Sequence, residues 1–179
     1  MLRQVSLGLP SATECVGYDI SPQAHALASA KADARLRFEC ADLLASDDAG
    51  FDLALAVDVI EHVEDVFGFL RRLRPKATHT VLHIPLDLSV QTLLRVRPIL
   101  DARRRVGHLH YFTRETALAL LADCGYEVQD WAYTRWAWEL PNRHRSAALL
   151  KWPRRLAYAV NPDWGVRLLG GCSLLVLAR

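Results

Sequence analysis

The stretch VGYDIS, residues 16–21, decides the fold. An apolar approach containing a glycine ends on a carboxylate, Asp19, and Ser21 with Pro22 then starts a helix. A serine at the N-cap satisfies an amide of the first turn, and proline at the first helical position sacrifices no hydrogen bond. CVGYD (15–19) therefore reads as a strand that gives way to a helix through the alanine-rich QAHALASAKADA. Outward from this point the pattern repeats. LRFEC (36–40) is a second strand, and FDLALAV (51–57) a third, apolar enough to be central in a parallel sheet with both faces covered. A helix through FGFLRRL follows, then a fourth strand, THTVLHIP (78–85). GHLHYFTRETALALLADCGYEV (107–128) combines a loop, a helix capped by Thr113, a stop at Gly125 that fits the left-handed position after a helix, and a strand starting near Tyr126. A basic helix around 145–160 precedes a last strand, CSLLVLA (172–178). Strands alternating with helices predict a doubly wound α/β fold.

Composition agrees with one ordinary soluble domain spanning 1–179: 51% of the residues are hydrophobic and 23% charged. No apolar run approaches the roughly 18 to 20 residues of a spanning helix. MLRQVSLGLP lacks the parts of a secretory signal, so the expected compartment is the cytoplasm. Cys15, Cys40, Cys124 and Cys172 are scattered, three of them in apolar surroundings, without the spacing of a disulfide framework or a zinc site, and no metal is expected. Charge is uneven. Residues 1–94 hold 8 Lys and Arg against 13 Asp and Glu, whereas 95–179 hold 14 against 7.

In open α/β sheets the ligand lies outside the carboxyl ends of the strands. Asp19 is at such an end, Asp42 in FECADL at the next, and Asp58, Glu61 and His62 follow the strand after that. A carboxylate at Asp19 can accept both hydroxyls of a ribose, and one at Asp42 can accept from an exocyclic amine, so an adenine nucleoside satisfies both. The plainer reading makes each aspartate a helix cap.

VGYDIS, ADL, FDLALAVDVIEHV, HIP and GHLHYFTRETALALLADCGYEV, taken in order, resemble the class I methyltransferases that use S-adenosylmethionine, especially the group whose fourth strand runs into an E-H-V turn. Order and spacing agree over nearly the whole chain from Val16. The resemblance implies a Rossmann-like, mostly parallel sheet with an antiparallel C-terminal strand, S-adenosyl-L-methionine as cofactor and a small-molecule acceptor. It assigns Asp19 and Ile20 to the ribose and Asp42 and Leu43 to the adenine. Val57 and Asp58, in the run to His62, would flank the methionine portion. It also puts the loop holding His108, His110 and Tyr111 over the acceptor. Methyl transfer needs alignment and, for an oxygen or nitrogen nucleophile, a base. His62 and His110 are the candidates.

The chain departs from this family at its start. The family begins with a central strand, an acidic residue and a glycine-rich loop, but only 14 residues precede Cys15, fewer than half of the roughly 30 that a βαβ unit takes. Leu2, Val5 and Leu9 are spaced as on a helix. The expected sheet therefore lacks its first central strand, leaving open edges beside the strands ending at Asp19 and at Val57. Three readings account for this: Met1 lies inside a longer frame, the gene is a decayed remnant, or another chain supplies the strand. Two functional alternatives stand beside the enzyme. One is a non-catalytic methyltransferase-like scaffold or subunit; the other is a nicotinamide-dependent oxidoreductase, since Asp19 also suits an NAD ribose.

Other motifs have a plain and a sharper reading. Glu61 and His62 suit the first turn of a helix as well as chemistry, His25 and His79 read as surface positions, and His83 faces either the crevice or the core. Arg95, Arg97, Arg103, Arg104 and Arg105 form a solvated face or mark an anionic acceptor. The basic stretch with Arg143, Arg145, Lys151, Arg154 and Arg155 beside Trp152 suits a membrane surface, although Pro153 interrupts it and Leu149, Leu150, Leu156 and Val160 equally suit packing on the sheet. WAYTRWAW (131–138) alternates as a strand and its exit do, so nucleic acid is not expected. Asp19 and Asp42 grip only the adenosine half of the cofactor. The 179-residue chain is accordingly expected to bind S-adenosylhomocysteine weakly, and thermal unfolding in its presence checks this: a rise of several degrees would contradict the account of the missing strand.

Overall fold

The computed structural model describes residues 1–8, 10, 13–135 and 151–179, and the chain divides into two compact units, Met1–Asp48 and Ala49–Arg179. In the first unit a helix, α1 (Leu2–Gly8), precedes β1 (Cys15–Tyr18), α2 (Pro22–Ser29) and β2 (Leu36–Glu39). β1 and β2 pair in parallel, with Cys15 opposite Leu36 and Tyr18 opposite Glu39. Ser21 is the N-cap of α2, its hydroxyl accepting the Ala24 N–H at 3.3 Å, with Pro22 opening the helix as the sequence predicts. Gly17 is required by packing: a Cβ there would stand 2.6 Å from the Phe38 ring.

The second unit runs β3 (Phe51–Val57), α3 (Val66–Leu73), β4 (Ala77–Pro85), α4 (Val90–Arg95), α5 (Arg97–Val106), α6 (Arg114–Asp123), β5 (Val128–Thr134), α7 (Lys151–Val160), α8 (Pro162–Leu169) and β6 (Ser173–Ala178). Its sheet has the order β3-β4-β6-β5. β3 and β4 are parallel, and β6 runs against both β4 and β5, the antiparallel C-terminal strand of the expected fold. Leu70, Leu82, Ile84, Leu121, Leu174 and Val176 are fully buried and make the core. Tyr126 reaches into it and donates its hydroxyl to the Leu70 carbonyl at 3.1 Å. Among the described residues β1 pairs with β2 alone and β3 with β4 alone.

The predicted punctuation holds. Thr113 caps α6 in a box with Thr116, and Gly125 takes φ +85° just beyond it. Three differences have physical causes. β3 is not covered on both faces: Ala54 and Ala56 are buried while Leu53 is 43% exposed, so the strand alternates as a half-buried one does. The basic run RVRPILDARRRVGH, 95–108, is not an irregular charged surface: α4 ends in it and α5 lies within it. Ser89 boxes the first with Thr92, and Val96, at φ 54°, breaks the chain before Pro98 opens the second. α8 was also unread, though Asn161 caps it and Pro162 starts it. Cys124 and Cys172 are buried, Cys15 is half-buried and Cys40 exposed. Pro153 lies in the first turn of α7 as its range is described, where proline is tolerated. Leu9, Trp136, Trp138, Arg143, Arg145, Leu149 and Leu150 lie outside the described residues. Among those described, no helix is long and apolar enough to cross a membrane.

Ion pairs tie α6 to α8 and β5. Arg114 pairs with Asp163 and with Glu115, Arg167 reaches Glu115 at 2.5 Å, and the Tyr133 hydroxyl donates to Asp163 at 2.8 Å. Burial alone would raise the Glu115 pKa, but hydrogen bonds from Arg167 and its own backbone, with the charge of Arg114, override this and lower it to about 2. A depressed acid contributes stability above its ordinary pKa and loses it as pH falls through the depressed one. Thermal unfolding between about pH 4.5 and pH 2 should show this loss, and Glu115→Gln should flatten that limb; an unchanged slope would remove Glu115 from the acid response.

Candidate functional site

In the first unit the two aspartates stand where the sequence puts them, past the carboxyl ends of parallel strands, and both are exposed. Neither is a helix N-cap. Asp19 accepts the Ser21 N–H at 2.8 Å, holding the residue that caps α2. Asp42 accepts the Leu44 N–H at 2.8 Å, and its carbonyl takes the amides of Ala45 and Ser46 in a single turn. Each local bond uses one carboxylate oxygen and orients the side chain at a strand end. Ile20 is 77% exposed and Leu43 half-buried, an apolar surface next to each carboxylate. Acceptor oxygens beside apolar side chains are what the hydroxyls of a ribose and the amine and ring of an adenine require, so these residues fit the adenosine half of S-adenosylmethionine.

In the second unit polar side chains gather past the ends of β3 and β4. Val57 closes β3, and Asp58 follows at φ 52°, a left-handed conformation that aspartate tolerates better than most residues. Its amide donates to the His83 carbonyl at 3.0 Å, while its Oδ1 lies 2.7 Å from His83 Nδ1. His83 Nε2 is 2.8 Å from Thr134 Oγ1, so a polar chain runs from β3 to β5. His83 thus faces the strand ends.

Glu61 is the centre of a second group. Its carbonyl accepts the amides of Leu109 (2.7 Å) and His110 (3.2 Å), which binds the loop after α5 to the loop after β3. This brings His108 to His62, with ring centroids 5.0 Å apart. His62 Nδ1 lies 3.3 Å from the Gly107 carbonyl, and His108 Nδ1 lies 2.5 Å from Asp87 Oδ2. His62 Nε2 faces Glu61 Oε1 at 3.8 Å. The Glu61 residue is 0% exposed, and neither carboxylate oxygen has a hydrogen-bond partner among the described residues. Burial raises its pKa to about 7, with the charge of Asp58 adding to the shift. One ligand atom from each of Glu61, His62 and His108 lies within 4.8 Å of the other two, so these three residues can hold a cation.

His110 sits beside this group but is differently engaged. Its Nε2 lies 2.8 Å from the Val63 carbonyl, and its ring stacks on Phe112 with centroids 6.3 Å apart. Both histidines proposed from sequence have one ring nitrogen on a backbone carbonyl, His62 through Nδ1 and His110 through Nε2, and the Nε2 of His62 faces Glu61. Sequence reading missed Asp87, whose partner is 21 positions away; its only signal was a carboxylate two residues past the end of a buried strand. His25 is not a plain surface residue either, since its Nε2 lies 3.2 Å from the Phe38 carbonyl.

A β3-β4-β6-β5 sheet with one reversed strand in one unit, and in the other a parallel pair followed by two carboxylates, are the parts of a Rossmann-like methyltransferase class of fold. A family model described as a methyltransferase domain matches residues 5–130, and the chain belongs to that family, the class I methyltransferases whose cofactor is S-adenosylmethionine. A search of curated proteins finds no match. Solved structures similar to the chain include an S-adenosylmethionine-dependent methyltransferase from Mesorhizobium loti, 21% identical, covering 94% of this chain and 81% of that one with a TM-score of 0.57. The N-methyltransferase NodS from Bradyrhizobium japonicum WM9, in complex with S-adenosylhomocysteine, is 16% identical over 93% of this chain and 66% of its own, with a TM-score of 0.54. A putative methyltransferase complexed with the Haloferax volcanii Trm112 activator is 14% identical over 98% and 75%, with a TM-score of 0.64. These likenesses are likenesses of fold. Neither the scaffold nor the oxidoreductase alternative is favoured by the family match.

The loop junction depends on Gly107, the left-handed cap of α5 at φ 80° and ψ 26°. A side chain in that conformation costs about 1 to 2 kcal/mol. Gly107→Ala should destabilise the protein by that amount, measured by denaturant unfolding; an unchanged midpoint would mean that the junction tolerates another backbone.

Proposed function

We propose that this protein is an S-adenosylmethionine-dependent methyltransferase acting on a small-molecule acceptor. The observation that carries the reading is the placement of exposed carboxylates past the carboxyl ends of successive parallel strands, in a chain of this family. When bound, the cofactor supplies a methyl group on a sulfonium, which passes to a nucleophile as the carbon–sulfur bond breaks and the nucleophile's proton leaves. Asp19 accepts the ribose hydroxyls, with Ile20 against the sugar; Asp42 accepts from the adenine amine, with Leu43 against the ring. Val57 and Asp58 border the methionine portion, and the hydrogen bond to His83 fixes the Asp58 carboxylate.

His62 serves the acceptor. The Gly107 carbonyl engages its Nδ1 and so leaves Nε2 to take a proton from the nucleophile. His110 supports this from the same loop, its Nε2 anchored on Val63 and its Nδ1 available to the acceptor. The exposed Arg103, Arg104 and Arg105 fill the last turn of α5, directly before this loop, which suits an acceptor bearing phosphate or carboxylate. Exposed Trp152, Leu156 and Val160 with Arg155 on α7 support peripheral contact with a membrane surface. The four free cysteines support a reducing compartment, the cytoplasm.

Asp19 is the residue whose loss tests the reading. A hydrogen bond to a charged group contributes about 1.5 to 3 kcal/mol, and Asp19 would accept two from the ribose. Asp19→Ala should therefore weaken S-adenosylhomocysteine binding well over tenfold relative to the unaltered chain, measured by ligand-observed NMR, which reads weak affinities. Equal affinity would reduce Asp19 to the residue that holds the α2 cap.

A further inference from the structure

Glu61 is the one buried charge in the second unit whose oxygens meet no donor among the described residues. A carboxylate is held dry at high cost unless a cation or several donors face it. Protonation removes the charge but leaves a buried hydroxyl still in need of an acceptor. Here the groups that face it are imidazoles, and the wider surroundings are acidic, with Asp58 and Asp87 close enough to disfavour its charged form.

We propose that Glu61, His62 and His108 bind a divalent transition-metal ion of the zinc type. The tautomers are set for it. His62 Nδ1 is held by the Gly107 carbonyl at 3.3 Å and His108 Nδ1 by Asp87 Oδ2 at 2.5 Å, so both lone pairs fall on Nε2. A carboxylate or carbonyl on the far nitrogen is the support that metal-binding histidines use, because it fixes ring orientation and raises basicity. The backbone is set as well: Glu61 and His62 are adjacent, and the bonds from Leu109 and His110 to the Glu61 carbonyl place His108 beside them. One ligand atom from each residue lies within 4.8 Å of the other two, and His62 Nε2 is 3.8 Å from Glu61 Oε1; bonds of about 2.0 to 2.2 Å in a tetrahedron would draw such atoms to about 3.3 to 3.5 Å.

Two imidazoles and one carboxylate suit zinc, cobalt, iron or manganese better than magnesium or calcium. Three protein ligands leave a coordination position open, and the His62 side chain, 38% exposed, lies at the solvent side where an ion enters. The site stands on this geometry and does not need the methyl-transfer reading. If that reading also holds, the open position would take an acceptor oxygen, and the ion rather than His62 would acidify it. His110 is not among the three residues whose ligand atoms converge.

The test uses the 179-residue chain, freed of metal with a chelator, and needs neither cofactor nor acceptor. Calorimetric titration with zinc chloride should give one ion per chain, and cobalt chloride should give visible d–d absorption with the intensity of a low-coordinate site. Glu61→Gln keeps the volume and removes the charged ligand; it should weaken zinc binding at least tenfold and bleach the cobalt bands, while circular dichroism shows the fold retained. Asp87→Asn, which touches no ion, should weaken zinc about 10- to 100-fold, as the loss of a supporting carboxylate does. His25→Ala, in the other unit, should change nothing. Absence of a saturable one-to-one site in the unaltered chain, or zinc affinity and cobalt spectra unmoved by Glu61→Gln, would overturn the proposal and leave the methyl-transfer reading standing.

Discussion

Two amides on one carbonyl organise the chemistry of the second unit. Leu109 and His110 both donate to the Glu61 oxygen, and through that junction residues nearly fifty positions apart share one neighbourhood. Without it His108 would hang on the loop after α5, and His62 would face solvent alone. The junction needs a tight exit from α5, which Gly107 provides, and a tight exit from β3, which the left-handed Asp58 provides. The parallel pairing of β3 with β4 then sets Asp58 beside His83 and Asp87 beside His108. Sheet register thus becomes side-chain geometry. As a device for stability, a buried carboxylate that meets no hydrogen-bond donor among the described residues, as Glu61 does, is a poor one.

The first unit works by simpler means. Its two short strands and their turns put Asp19 and Asp42 in the open, each steadied by one amide two residues on. That local bond explains why a strand-end aspartate can look like a cap in the sequence. The cap of α2 is Ser21, and Asp19 holds Ser21 in place.

Much of this was legible from the sequence wherever the signal was local. Ser21-Pro22, Thr113 and Gly125 each encode a helix boundary through their own backbone preferences, and the run FDLALAV coincides with β3. The order of carboxylates after successive strands was legible too, because strand ends fall at fixed places in such folds. α4 and α5 were not, since Ser89 is boxed by a threonine rather than by the usual glutamate or glutamine, and a run of arginines masks the apolar spacing. The Asn161-Pro162 start of α8 was readable and went unread. Beyond reach were the pairs fixed only by tertiary structure: Asp87 with His108, Asp58 with His83, and the burial of Glu61. A glutamate in the first turn of a sequence-predicted helix reads as a surface residue; only packing shows it enclosed.

The central claim is the proposal that Asp19 and Asp42, past the ends of β1 and β2, hold S-adenosylmethionine. Amide chemical-shift mapping of the isotope-labelled chain during titration with S-adenosylhomocysteine tests it most directly, because it reports weak binding and its location together. The account predicts saturable shifts at Asp19, Ile20, Asp42, Leu43, Val57 and Asp58. Shifts confined to other residues, or none at millimolar ligand, would contradict it.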